Sequence, residues 1–489
     1  MTAGQSGRTL NRALWLLAAA LAIFSALIVN GRPLFYFDTM GYYEQGITGL
    51  RGLGLLPAPE ALSGAGAGAA DASPHTVDGS RSPFYSLLAG LLAAVGAFDL
   101  LIVFNVGVLV AAIWLVASIL RRLYAPTLDP VALTALAVIA GSLGSLPFYA
   151  AYLMPDLLAP VLLISVAAIT AFGREMRPGE LVAAFVLASI AIVSHLSHYG
   201  IAAAMVPAVA LVAFLAGRRR WWLAPLILLA VVAVGYGQQQ AFRLVAARTV
   251  KSDVVIQPYI TARLIQDGPG YDWLEAHCPD TTVVTCKLWD ALHISDDPYR
   301  LTASHIVFET SKRLGSYRLM TPEDQKAVSD AQVGFFKDVL KDMPFAVAGA
   351  FIANTFKQSA MVSVDMTIPT EQIERRNRVV TATLTGPLLR GRLAGDRRWI
   401  DTSVRLHRIY YAATLLLSVV LLLGPGLPKG LRVFGVMILL GVLANAFVCG
   451  GISQPANRYG ARVVWLVPML AAMLLYWSAR PPAARERVS

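Results

Sequence analysis

The chain has 489 residues, of which 56% are hydrophobic and only 15% are charged. Soluble globular chains carry about a quarter charged residues, so this composition argues against a soluble protein. The apolar residues gather in long runs, for example at 101–120, 157–172 and 201–216. A helix of about 18 or more apolar residues can cross the hydrocarbon core of a bilayer. The composition therefore predicts a membrane protein.

The formal net charge of +11 does not indicate a nucleic-acid partner, because of where the basic residues lie. Basic clusters at 121–122, 174–177, 218–220 and 429–432 each adjoin an apolar run. Lysine and arginine accumulate in cytoplasmic loops and set the orientation of spanning helices. We therefore interpret the positive charge as a determinant of membrane topology.

The positive-inside rule predicts an all-α polytopic protein with about ten transmembrane helices. The first run, at 13–30, is expected to be a retained helix, since no small-residue cleavage site closes it. The run at 84–98 is expected to lie on or dip into the outer face, which keeps Arg121 and Arg122 cytoplasmic. The expected spans are 13–30, 100–120, 131–149, 156–172, 180–194, 199–216, 221–237, 408–425, 431–449 and 462–478.

These spans divide the chain into three parts and leave both termini in the cytoplasm. Residues 1–237 hold helices one to seven with an outer loop at 31–83, residues 238–407 form a mostly α segment outside the cytoplasm, and residues 408–489 hold the last three helices and a tail. The loop's Gly-, Ala- and Ser-rich part, 61–80, is expected to be mobile. The outer segment is expected to contain helices at 322–342 and 345–356, the second apolar enough to lie on the membrane, and a short strand at 281–286.

The three cysteines are Cys278, Cys286 and Cys449. If the outer segment faces an oxidising compartment, a bridge between Cys278 and Cys286 is favoured over two free thiols. The nearby histidines do not have the spacing of a zinc site. No cofactor is expected, and the lone acid Asp38 gives little reason to expect a metal, although the sequence leaves a divalent metal open.

Ionisable residues are scarce inside the spans and gather at the outer helix ends. Asp38 follows the first span among aromatic residues, close to Tyr42 and Tyr43, and Asp156 begins the span at 156–172. A partly desolvated carboxylate such as Asp38 can serve as a general base, but the position of each aspartate favours a helix cap. Arg81 and Tyr85 flank a third outer motif, which is also consistent with a plain helix start.

Two further polar groups lie at outer helix ends. His195 and His198 join two spans, and their spacing suits a weak metal pair, a polar turn or donors to a phosphate. Arg458 and Arg462 are four residues apart, so a helix places them on one face, where they could bind a phosphate. The alternative is that both arginines extend to lipid headgroups.

The order of these motifs resembles the GT-C membrane glycosyltransferases, which include aminoarabinose transferases and protein mannosyltransferases. The matching features are Asp38 beside two tyrosines, the run Ser82-Pro83-Phe84-Tyr85-Ser86-Leu87, and Arg458-Tyr459 before a last helix that contains Pro468. The resemblance covers the whole topology, although Asp38 has no adjacent second acid and Ser82 stands where the family has proline.

The resemblance implies an enzyme of the bacterial inner membrane that moves a sugar from a polyprenyl-phosphate donor to a lipid, glycan or protein acceptor on the periplasmic face. Asp38 would be the general base of an inverting displacement. Substrate-binding residues would come from the outer motifs: Tyr42, Tyr43, Arg81, Tyr85, Asp156, His195, His198, Arg458, Tyr459 and Arg462. The main alternative is a transporter or flippase of lipid-linked glycans, which is disfavoured because ionisable groups within spans are few. A non-catalytic assembly protein and a polysaccharide polymerase or ligase are further alternatives.

Overall fold

The structure is a computed structural model, and it describes residues 3–57, 76–217, 219–249, 251, 253–280, 282–311, 316–384 and 391–479. Eleven helices precede the outer segment: α1 (Ala3–Ile23), α2 (Ser25–Asn30), α3 (Phe37–Gly52), α4 (Pro83–Ala94), α5 (Leu100–Tyr124), α6 (Pro130–Ser142), α7 (Leu146–Ala150), α8 (Leu158–Phe172), α9 (Pro178–Ser194), α10 (Leu196–Leu215) and α11 (Leu223–Thr249). Proline begins α4, α6 and α9, where its missing N–H has no intrahelical partner to lose.

The remaining helices form the outer segment and the C-terminal spans. They are α12 (Tyr259–Asp267), α13 (Pro269–His277), α14 (Trp289–His293), α15 (Ala303–Phe308), α16 (Pro322–Asp342), α17 (Pro344–Ser359), α18 (Glu371–Leu384), α19 (Arg392–Gly395), α20 (Trp399–Leu423), α21 (Lys429–Val448), α22 (Asn457–Val464) and α23 (Leu466–Ser478). Short 3-10 turns cover Pro155–Leu157, Val284–Leu288, Pro298–Leu301, Tyr317–Leu319 and Asp365–Thr367, and a π-helical turn covers Cys449–Ser453.

Seven segments in the described part of the chain are long and apolar enough to cross a membrane. They are Leu100–Tyr124, Pro155–Phe172, Leu196–Leu215, Leu223–Thr249, Trp399–Leu423, Lys429–Ser453 and Asn457–Ser478. They coincide with seven of the expected spans, which supports an all-α membrane protein. The other three expected spans fall on the shorter apolar helices Thr9–Ile23, Pro130–Ser142 and Pro178–Ser194. A fourth short apolar helix, Pro83–Ala94, lies where an interfacial segment was expected.

Several boundaries differ from the sequence prediction. The run at 131–149 is broken, because α6 ends at Ser142 and α7 begins only at Leu146. The helix expected at 221–237 continues to Thr249, so it extends well past the end of its apolar part. The strand expected near 281–286 is wrong, since Val284–Leu288 forms a 3-10 turn.

The two strands of the described chain lie elsewhere. β1 (Thr76–Asp78) pairs in parallel with β2 (Asp253–Val255). The end of the stretch expected to be mobile is therefore ordered, while its part up to residue 75 lies outside the described residues. This pairing joins the first outer loop to the start of the outer segment.

The packing forms two hydrophobic cores. The larger one fills the space between the apolar helices, and α8 is buried along its whole length. The smaller one lies in the outer segment and is built from α12, α13, α15 and α16 around residues such as Trp273 and Phe335. A disulfide joins Cys278 to Cys286 at the edge of this smaller core.

Two close backbone contacts bring the first outer loop against the helix bundle. Leu34 pairs with the segment around Tyr152 through two hydrogen bonds, from Leu34 N to Ala151 O (2.7 Å) and from Leu153 N to Leu34 O (2.9 Å). Gly46 of α3 lies directly on the backbone of α4, where any side chain would collide with the Ser86 carbonyl oxygen. These contacts hold the first turn of α3 next to the outer ends of α8 and α4.

Candidate functional site

Charged side chains from five separate segments meet at the helix ends that the sequence predicts to face outward. We call this group the charged cluster, and its members are Asp38, Asp78, Arg81, Asp156, His195, Arg458 and Arg462. The first and last of these residues are separated by more than 400 positions in the sequence. The fold therefore brings most of the outer-end motifs into a single site.

Asp38 is the second residue of α3 and does not cap it, because the N-cap position is Tyr36. The capping interpretation of Asp38 is thus wrong. Its Oδ2 accepts a hydrogen bond from Arg458 Nη1 at 2.7 Å, and its Oδ1 accepts one from Arg81 Nη2 at 3.4 Å. The Asp38 side chain keeps 34% of its surface exposed. It is therefore a carboxylate of the cluster that a soluble or lipid-bound molecule can reach.

Two arginines set the charge state of this carboxylate. Burial raises the pKa of Asp38, but the positive charges of Arg458 and Arg81 outweigh burial and bring the pKa below its ordinary value of 3.8. Asp38 is consequently ionised throughout the neutral range.

Arg81 joins the first outer loop to α3. Its Nη1 donates to Asp78 Oδ2 at 2.9 Å, so the guanidinium bridges Asp78 of β1 and Asp38 of α3. Gly41 leaves the space that the guanidinium occupies, because a Cβ at this position would collide with it. The adjacent Ser82 accepts a hydrogen bond from Tyr85 N (3.1 Å) and caps α4.

Asp156 is fully buried and lies between two arginines. Its Oδ1 accepts hydrogen bonds from Arg458 Nε at 2.9 Å and from Arg462 Nη1 at 3.4 Å. Met154 holds the N-cap position of the 3-10 turn, so the capping interpretation of Asp156 is wrong as well. Its second oxygen, Oδ2, has no hydrogen-bond partner among the described residues. The cluster therefore retains an unused buried acceptor.

Arg458 and Arg462 lie on one face of α22, as their spacing predicted, but they do not extend to lipid headgroups. Both are buried. Arg462 Nη2 donates to Asn445 Oδ1 (2.9 Å) and to Ser197 Oγ (3.1 Å). Arg458 is the central cation, because it binds Asp38 and Asp156 at once.

The two histidines have different surroundings. His195 Nδ1 accepts a hydrogen bond from Ser197 N at 3.1 Å, and its Nε2 lies 3.5 Å from Arg458 Nη2. Burial and the adjacent arginines lower the pKa of His195 to about 3, so it adds no charge at neutral pH. His198 lies behind it, with Nδ1 2.7 Å from Ala191 O. Among the described residues, no group of three or more His, Cys, Asp and Glu side chains forms a candidate metal site.

Aromatic rings line the arginines. The Arg462 guanidinium lies 4.9 Å from the Tyr459 ring centroid, and that of Arg458 lies 5.4 Å from the Tyr36 ring and 5.5 Å from the Tyr459 ring. Such contacts favour a planar cation in a site with little water. Tyr42 and Tyr85 are buried together with their ring centroids 5.2 Å apart, next to the cluster. Tyr43, by contrast, directs its ring to Phe98.

Sequence reasoning missed several residues that hold the cluster in place. Asn105 donates to Tyr85 Oη (3.0 Å) and to Met154 O (2.9 Å), so it links α4 to the turn before Asp156. Asn445 holds Arg462 and also donates to Tyr459 O (2.8 Å). Both are single amides within otherwise apolar helices. Because an amide is costly to bury in an apolar helix, an isolated asparagine in such a run could have indicated a structural or functional role.

The arrangement provides a partly exposed carboxylate at Asp38, a buried guanidinium at Arg458 bonded to it, and a buried second carboxylate at Asp156 that also binds this guanidinium. The Asp78 side chain, bonded to Arg81, is exposed to a similar extent as Asp38. Such a site can accept a proton at Asp38 and bind an anion at Arg458 or Arg81. No protein-family model matches the chain, and no curated protein or solved structure matches it either.

Proposed function

We propose that the chain is a GT-C-type glycosyltransferase of a bacterial inner membrane, with about ten spans and both termini in the cytoplasm. It would move a sugar from a polyprenyl-phosphate donor to a lipid, glycan or protein acceptor on the periplasmic face. The observation that carries the proposal is the ion-paired contact of Asp38 with Arg458, at the outer end of apolar helices. A lipid-linked phosphate and a polar acceptor meet at that boundary.

Asp38 fits the role of general base better than Asp156 does. The reacting hydroxyl must come within hydrogen-bond distance of the base, and the Asp156 side chain has no exposed surface. Asp38 is one-third exposed and lies at the N-terminus of α3, where the helix dipole stabilises a carboxylate. Asp156 would instead hold Arg458 and Arg462 in position.

The charge balance of the cluster indicates how a phosphate would enter. Its ion pairs join three arginines to three aspartates: Arg81, Arg458 and Arg462 to Asp38, Asp78 and Asp156. A donor phosphodiester adds a negative charge to this neutral set. Asp38 is a partly exposed partner of Arg458, so we expect the phosphate to take its place on that guanidinium.

This exchange would also activate the base. While Arg458 binds Asp38, the lowered pKa makes the carboxylate a weak proton acceptor. Arg458 is the strongest of the charges that lower this pKa, so transferring its hydrogen bond to the phosphate would raise it. Donor binding and base activation would then be a single event.

The proposed chemical step is a single displacement at the anomeric carbon. The acceptor hydroxyl oxygen forms a bond to the anomeric carbon, the bond from that carbon to the phosphate oxygen breaks, and the hydroxyl proton passes to Asp38. The polyprenyl phosphate leaves with the electron pair, stabilised by Arg458. One displacement inverts the anomeric centre, and no protein nucleophile is needed.

The test is sugar transfer by membranes that contain the wild-type or the Asp38→Asn protein, supplied with a set of labelled polyprenyl-phosphate sugars. Loss of a general base typically lowers the rate by about 10²–10⁴-fold. Asp396→Asn is the matched control, because Asp396 pairs with Arg398 in an exposed ion pair. The proposal is supported if wild type and Asp396→Asn transfer sugar and a folded Asp38→Asn does not. Wild-type rates in the folded Asp38→Asn protein would remove Asp38 as the base, and no transfer by wild type from any donor would overturn the glycosyltransferase assignment.

A further inference from the structure

One face of α17 carries exposed apolar side chains over its whole length. Phe345 is 91% exposed, Ile352 57% and Phe356 73%. Their spacing of seven and four residues places them on one side of the helix. The sequence from 344 to 356 contains no charged residue, and exposed alanines and a glycine fill the same side. Soluble surfaces seldom expose a continuous apolar strip of this kind, so this face needs a partner.

The surroundings of the strip indicate which partner covers it. Phe351 of α17 packs against Phe447 of α21, with ring centroids 5.7 Å apart. Phe447 belongs to a segment long and apolar enough to cross the membrane, and it is itself exposed, as is Leu443 one turn earlier. The apolar strip of α17 therefore continues a surface that would face lipid.

The height of α17 along this span is fixed by two glycines. Gly450 and Gly451, in the π-helical turn that ends the span, lie against Asn354 and Phe351, and a side chain at either position would collide with α17. A span of this length reaches the edge of the hydrocarbon core, because 25 residues rise about 38 Å and the core is about 30 Å thick. α17 thus lies at the outer boundary of the core.

We infer that α17 is a membrane helix of the outer leaflet, with Phe345, Ile352 and Phe356 inserted among lipid acyl chains. An amphipathic helix of this type lies in the plane of the interface and buries its apolar face at the headgroup–acyl boundary. Its opposite face is buried in the protein and carries Asn354 and Gln358.

This placement connects the lipid surface to the charged cluster. Gln358 Nε2 donates to Ala456 O (3.0 Å), and Ala456 N donates to Gln358 Oε1 (2.9 Å). Ala456 is the N-cap of α22, two residues before Arg458. A helix anchored in the outer leaflet therefore sets the depth of Arg458 relative to the headgroups. The inference does not rest on the proposed function, because lipid contact is measured without any substrate.

The test is site-directed spin labelling of the full chain in lipid nanodiscs. Single spin labels are attached to Phe345→Cys, Ile352→Cys or Phe356→Cys. The relaxation of each label is measured with oxygen, which concentrates in lipid, and with a nickel chelate, which stays in water. Leu416→Cys on α20 is the lipid reference, and Glu323→Cys, on the first turn of α16, is the water reference. Unsubstituted protein, treated with the same label, shows whether the buried Cys449 reacts.

We expect the oxygen-to-nickel collision ratio at all three positions of the strip to lie near that of Leu416→Cys. A ratio near that of Glu323→Cys would show that the strip faces water and would overturn the inference. Low collision rates with both reagents would overturn it too, because they would show that a second copy or another protein covers the strip. Correct folding is checked by monodisperse elution, and labels at three positions keep the result independent of any one substitution.

Discussion

Asp156→Asn is expected to destabilise the protein far more than Asp38→Asn, although each aspartate contacts two arginines. The two substitutions differ in whether they leave a buried arginine without a carboxylate partner. Asp156 is the carboxylate that Arg462 contacts in the described part of the chain, and both side chains are fully buried. Removing its charge leaves Arg462 with only neutral partners. Breaking a buried ion pair from one side costs about 3–5 kcal/mol, because the remaining charge stays desolvated.

The loss from Asp38→Asn should be smaller. After that substitution Arg458 keeps Asp156 and Arg81 keeps Asp78, so each guanidinium retains a carboxylate. The Asp38 side chain is also partly exposed, which reduces the contribution of its ion pairs. We estimate about 1–2 kcal/mol for this change.

The assay is thermal unfolding of the detergent-purified variants, followed by tryptophan fluorescence. The expected order of apparent Tm is wild type, Asp38→Asn, then Asp156→Asn, with Asp396→Asn matching wild type as an exposed control. Combining Asp156→Asn with Arg462→Met should recover part of the loss, since the uncompensated charge is then gone. A lower Tm for Asp38→Asn than for Asp156→Asn, or a further loss on adding Arg462→Met, would contradict this expectation.

Three other predictions concern the surroundings of the cluster. Burial raises the pKa of Asp38, but the neighbouring arginines lower it to a net value below the ordinary 3.8. The stabilising contribution of Asp38 should therefore be complete above pH 3.8 and lost only as the pH falls through the lowered pKa. Initial rates of sugar transfer should accordingly show no acid loss in kcat/KM between pH 8 and 5, and a loss there would contradict this charge state. Replacing Cys278 and Cys286 by serine should lower the free energy of unfolding of the outer segment by about 2–3 kcal/mol for a loop of this length. The outer segment should then be proteolysed faster, and unchanged proteolysis would count against the bridge. Gly46→Ala should cost about 1–3 kcal/mol and impair transfer by displacing α3 from α4, while Gly107→Ala, which has open space around it, should leave both thermal stability and transfer unchanged.

Much of this architecture is predictable from the sequence because a bilayer constrains helices strongly. Apolar length and the distribution of arginines identified the seven long candidate spans, and the order of polar motifs placed Asp38, Asp156 and Arg458 at outer helix ends. If the spans alternate as expected, these helix ends lie on the same side of the membrane, which would account for the convergence of the three residues. The break between α6 and α7 was not predictable from apolar length, because apolar residues continue through it.

What the sequence could not supply is the division of roles within the cluster. Asp38 and Asp156 both follow an aromatic- or proline-containing turn, and both looked equally like helix caps. They differ in burial, which depends on how α22 packs against α8 and α3, and no local pattern encodes that packing. Tyr42 and Tyr43 illustrate the same limit, since adjacent tyrosines face the cluster and Phe98 respectively.

Two buried amides connect the segments that carry the charged cluster. Asn105 donates hydrogen bonds to the Tyr85 hydroxyl and to the Met154 carbonyl oxygen, and Asn445 binds Arg462 and donates to the Tyr459 carbonyl oxygen. A buried amide N–H without a partner is costly, so these hydrogen bonds favour the observed packing of the segments that they join. Asp156 and Arg462 are fully buried, whereas the Asp38 side chain keeps 34% of its surface exposed. Under the proposed function, an incoming anion would therefore displace Asp38 from Arg458 and leave Asp156 in place. That asymmetry is the physical reason to look for the chemistry at Asp38.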